Sequence, residues 1–97
     1  MYVVINHLHL SIPVDELRPV LEQELVPLLQ SMPGFQGFYF VKNANDRATV
    51  LLFWDSAANA ENGAKTFGPT LFAKNIAPYL VSEQQRSVGE VIVQAQQ

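Results

Sequence analysis

The sequence predicts an α+β domain in the order βαββαβ, and three observations carry that prediction. Apolar stretches rich in β-branched and aromatic residues occur four times, over residues 2–10, 35–42, 47–54 and 87–95. Leucines recur at helical spacing between the first and second of them. Small residues recur at the same spacing after the third.

Taken in order, Tyr2 to Leu10 is the first strand, and Pro13 closes it against further pairing. From Val14 to Met32, Leu17, Leu21, Leu25, Leu28 and Met32 fall on one face while Asp15, Glu16, Arg18, Glu22 and Gln23 fall elsewhere, which predicts an amphipathic helix. Ser11 is placed to cap it, with Asp15 and Glu16 near the positive end of its dipole. Pro27 removes the bond to the carbonyl of Gln23, so a kink or a separate last turn is expected there.

After Pro33-Gly34, residues 35–42 and 47–54 flank Asn43-Ala44-Asn45-Asp46, a strand, turn and strand that read as a hairpin. Asp55 or Ser56 then caps a helix on which Ala57, Ala60, Ala64 and Phe67 make a narrow face. Gly68-Pro69 is expected to divide this helical region in two, the second piece carrying Phe72, Ile76 and Tyr79. Ser87 to Ala95 makes the last strand and leaves Gln96 and Gln97 as a tail. This order suits a ferredoxin-like arrangement, a four-stranded antiparallel sheet with helices on one face and strands one and three in the middle.

Composition bounds the function. Ninety-seven residues make one domain, spanning 1–97, with a single core. The hydrophobic share of 48% against 15% charged is high for so small a domain, and both faces of the central strands are apolar, so a homodimer that covers the free sheet face is expected. Net charge is −3, and Lys and Arg are scattered, so nucleic acid is not an expected partner. Without cysteine there is no disulfide, thiolate metal site or Cys nucleophile. The first ten residues lack a basic n-region, and no apolar run reaches the length of a span, so a cytoplasmic protein away from membranes is expected.

Pro33-Gly34-Phe35, the hairpin, Phe53-Trp54-Asp55-Ser56, the small-residue helix and Val88-Gly89-Glu90-Val91 together resemble the antibiotic biosynthesis monooxygenase family of dimeric α+β barrels. The resemblance implies a homodimer built sheet to sheet and a pocket between sheet and helices. It also implies an activity among those of the family: cofactor-independent oxidation of quinols or aromatic polyketides, or haem degradation. Asn6 and Trp54 match the Asn and Trp of the haem-degrading type, but residues 57–80 contain no histidine to ligate iron. Where the polyketide-oxidising type carries an Asn and a Tyr around its Trp, this chain has Val50 and Ala60.

The expected site is therefore a pocket for a small apolar or aromatic ligand, lined by Asn6, Trp54, Phe67, Phe72 and Tyr79. Asn6 orients a substrate oxygen, Trp54 stacks on a ring, and His9 or His7 is the base. Neither cofactor nor metal is expected, since two histidines two residues apart without a third ligand make a weak metal signal. The expected activity is cofactor-independent oxidation of a phenolic or quinol compound. The alternative is a non-catalytic dimer that binds a small apolar ligand or serves structure alone.

Overall fold

The computed structural model describes residues 1–96. Strand β1 (Tyr2–His9) leads through a loop to helix α1 (residues 14–30), and β2 (Phe35–Ala44) and β3 (Arg47–Trp54) form the hairpin. Helix α2 (Ala57–Phe67) and its continuation to residue 75 precede β4 (Gln85–Glu90). The sheet is antiparallel in the order β2-β3-β1-β4, with strands one and three central as the sequence predicts. The fold is α+β and ferredoxin-like.

Both helices pack on one face of the sheet. Val4, Leu8, Leu52 and Trp54 from the central strands meet Leu17, Leu21, Leu25 and Leu29 of α1, and Ala60 and Ile76 from the second helical region complete this core. The apolar stripe of α1 thus advances by four and ends on Leu29, which is completely buried, rather than on Leu28. Pro27 explains the change of phase. Residues Leu21–Leu25 form a π turn in which the Val26 amide bonds to the Leu21 carbonyl, five residues back, so the helix continues past the proline without a break.

The same device carries the second helical region through Gly68-Pro69. A π turn over Gly68–Phe72 joins α2 to the short helix Ala73–Asn75, where a division was expected. Ser56 caps α2, its side chain accepting from the Asn59 amide at 3.2 Å, whereas α1 starts after Pro13 with no side-chain cap from Ser11.

Strand β4 begins two residues earlier than the apolar pattern suggests and ends at Glu90. The Val91 amide makes one further bond to the Met1 carbonyl, and residues 92–96 pair with no strand. Register decides the span: Gln85 and Arg86 lie beside His7 and Asn6 of β1, whereas Ile92 and Val93 run past its start at Tyr2. Of the expected tail, Gln97 lies outside the described residues. No helix among those described is long and apolar enough to cross a membrane.

Candidate functional site

Alternation along β1 turns Val4, Asn6 and Leu8 towards the helices. Asn6 stands opposite Val50 on one side and Arg86 on the other. Trp54 ends β3 on the same face, only 1% exposed, with its ring edge-on to Phe35 at 5.7 Å between centroids. Room for so large a side chain exists because α2 presents Ala60, Gly63 and Ala64 to the sheet.

Between the sheet and the second helical region lies a cleft of about 230 Å³, lined on its apolar sides by Trp54, Ala64, Phe67 and Phe72. Asn6, Gln84 and the exposed Arg86 supply its polar groups. A narrow extension of about 30 Å³ reaches inward between Leu21, Leu25, Phe38 and Phe40. The cleft falls below the roughly 300 Å³ at which pockets for drug-sized ligands begin, a size that suits a compound of one or two rings.

Three buried polar atoms have no hydrogen-bond partner among the described residues: Asn6 Oδ1, Trp54 Nε1 and Gln84 Oε1. All three belong to residues lining the cleft. Leaving a buried donor or acceptor unsatisfied costs about 1–3 kcal/mol, so three in one apolar cleft are a concentrated expense of stability. Together they offer one N–H donor and two carbonyl acceptors between aromatic walls. A flat ligand with a hydroxyl to donate and an oxygen to accept would satisfy them.

A larger groove, about 400 Å³, runs along the other side of α1, but its charges are already matched. Arg18 Nε lies 2.8 Å from Glu22, which raises the arginine above its ordinary pKa, and Lys42 Nζ lies 2.6 Å from Asp15. None of the three unpartnered buried polar atoms belongs to that groove.

No family model and no curated protein matches the sequence. Solved structures match it over nearly its whole length. A protein of unknown function from Nitrosomonas europaea, NE2512, superposes with a TM-score of 0.79 at 15% identity, covering 99% of this chain and 93% of its own. SnoaB, a cofactor-independent oxygenase from Streptomyces nogalater, gives 0.78 at 10% identity over 96% and 94%. A third structure, an antibiotic biosynthesis monooxygenase, gives 0.73 at 15% identity over 96% and 100%.

The chain has the fold of the antibiotic biosynthesis monooxygenases. At these identities the likeness is one of fold, and the residues of the cleft carry any argument about chemistry.

Within the antibiotic biosynthesis monooxygenase fold, the structure brings together four of the expected site residues, Asn6, Trp54, Phe67 and Phe72. Tyr79 does not join them. It lies beyond the helix in the 3-10 turn Ala77–Tyr79, where its backbone carbonyl accepts from the Ser11 amide at 2.7 Å.

His9 stands apart as well. It differs from Asn6 by an odd number of strand positions and projects from the opposite sheet face, with Nε2 at 3.1 Å from Asp46 Oδ2. His7 shares that face and contacts Thr49, whose hydroxyl donates to Asn43. The expected base is therefore absent from the cleft, whose one ionisable lining group is Arg86. Haem fits poorly too, for no imidazole, thiolate or phenolate lines the cleft to take its iron.

Gln84 and Arg86 are the residues that sequence reasoning missed. Beginning the last strand at Ser87 left both in a loop. The signal that finds Arg86 is register, which sets it directly across from Asn6 once β4 starts at Gln85.

Proposed function

We propose that this protein is a cofactor-independent monooxygenase that oxidises a small phenolic or quinol compound in the cleft between Asn6 and Trp54. The observation that carries the reading is the set of three unpartnered buried polar atoms on Asn6, Trp54 and Gln84. A quinol provides their complement, with hydroxyls that donate to the two amide oxygens and an oxygen that accepts from the indole. SnoaB, a cofactor-independent oxygenase of the same fold, supports the class of reaction.

In such a reaction the quinol loses a proton and passes an electron to dioxygen. A C–O bond forms on the ring, and water departs to leave a hydroxyquinone. One oxygen atom enters the product and the other leaves as water. The protein's part is orientation by Asn6 and Gln84, stacking and donation by Trp54, and exclusion of water by Phe67 and Phe72. Because no base lines the cleft, the quinol proton passes to solvent at the open side of the cleft.

The protein works as a cytoplasmic homodimer in this reading. Val3, Ile5, Leu51 and Phe53 lie on the sheet face away from the helices, Tyr39 on that face is 62% exposed, and Ile92 and Val93 are 88% and 83% exposed. A second copy packed sheet to sheet covers these surfaces.

Oxygen uptake with hydroquinone tests the activity. The expected result is uptake proportional to protein and well above autoxidation, lost in Asn6→Leu. Uptake no faster than without protein overturns it. The absence of a base favours a second reading, binding without turnover, which predicts saturable binding of the quinol and no uptake.

A further inference from the structure

Arg86 is the one charged residue that lines the cleft, and its charge is unanswered there. Directly across the strand pair is Asn6, whose oxygen is one of the three unpartnered atoms. The ion pairs among the described residues join His9 to Asp46, Arg18 to Glu22 and Lys42 to Asp15, and none includes Arg86. No Asp or Glu lines the cleft. In a chain with a net charge of −3, the cleft is thus a local cationic site with apolar walls, polar atoms inside and a guanidinium that reaches solvent.

We propose that the cleft selects an aromatic acid, a phenol or quinol that carries a carboxylate, with Arg86 as the residue that determines this specificity. The inference rests on the cleft being the substrate site proposed above. The ring lies between Trp54 and the phenylalanines, a ring hydroxyl donates to Asn6 or Gln84, and the carboxylate turns outward to the guanidinium. A planar guanidinium matches a carboxylate with two parallel N–H···O bonds, a fit that a lysine ammonium does not reproduce. The neutral polar groups recognise the phenol and the cation recognises the acid, so two substitutions separate the two contributions.

The test compares gentisate, a hydroquinone carboxylate, with its methyl ester, which has the same ring and hydroxyls but no charge. Calorimetric titration of the intact protein is expected to show gentisate binding about fivefold or more tightly than the ester, a modest factor because Arg86 is exposed and its ion pair is partly screened by salt. In Arg86→Gln the two compounds bind within about twofold of each other, and Arg86→Lys restores part of the preference. In Gln84→Leu both bind more weakly by the same factor and the preference survives.

Equal binding of acid and ester by the unsubstituted protein, a preference that persists in Arg86→Gln, or binding of neither compound overturns the inference. Oxygen uptake separates this failure from failure of the reaction. Uptake with hydroquinone but no preference for gentisate removes only the role of Arg86. A preference for gentisate without uptake from either compound leaves the acid site standing and removes the oxygenase.

Discussion

Gly63 of α2 lies against the six-membered ring of Trp54, so closely that a Cβ at position 63 would come within 2.6 Å of Trp54 Cζ2. The smallest side chain in the helix and the largest in the sheet occupy one contact. Trp54 is 1% exposed and packs edge-on with Phe35, so the ring has little room to retreat.

Gly63→Ala therefore sets two effects against each other. Alanine gains about 1 kcal/mol over glycine in a helix interior. Overpacking a rigid core contact costs about 1–3 kcal/mol. Because the overlap is with an aromatic ring rather than a flexible tip, the second effect is expected to win. Urea unfolding should show a net loss of about 1 kcal/mol and a shift in the emission of Trp54, the chain's single tryptophan. A gain in stability would show that the helix moves away from the sheet freely.

At Gly34 the backbone has φ +76°, and its carbonyl accepts from the Asp55 amide at 2.8 Å, which ties the start of β2 to the end of β3. A side chain there would both adopt the left-handed region and overlap the Asp55 carboxylate and the Asn59 amide. Gly34→Ala is expected to lower stability by about 2 kcal/mol, read as a lower denaturant midpoint at unchanged slope.

Asn6→Leu should have opposite effects on stability and function. It removes a buried unpartnered acceptor and fills its place with apolar volume, so the protein should become more stable by about 1 kcal/mol. Quinol binding and oxygen uptake should fall by at least an order of magnitude, since the hydroxyl loses an acceptor in a desolvated cleft. Loss of stability in this variant would mean that Asn6 serves the fold.

The proposed sheet-to-sheet dimer is tested by Leu51→Lys. Leu51 faces away from the helices, so the monomer should tolerate the change, while an ammonium group buried from each copy in a sheet-to-sheet interface would oppose association. Sedimentation should give a dimer for the unsubstituted protein at micromolar concentration and a folded monomer for the variant.

Much of this was legible in the sequence because period and punctuation agree. The hairpin follows from the turn residues 43–46, and the central place of β1 and β3 follows from the ferredoxin-like arrangement that the order βαββαβ suits. Asn6 and Trp54 stood out as a mid-strand amide and a strand-end tryptophan, and parity put them on one face. The π turns were not legible, for a proline signals only a lost hydrogen bond and not whether the helix breaks or widens around it. Gln84 and Arg86 were hidden because their places depend on register with β1, and the apolar residues 91–93 drew the expected strand too far towards the C-terminus.

The most direct test of the central claim, that the cleft beside Trp54 takes a flat aromatic ligand, is quenching of Trp54 emission by a naphthoquinone that carries a free phenolic hydroxyl to donate to Asn6. The account predicts saturable quenching with one site per chain, abolished in Asn6→Leu while its circular dichroism is unchanged. Quenching that rises linearly with naphthoquinone and is the same in Asn6→Leu would show only collisions with the protein surface and contradict the site.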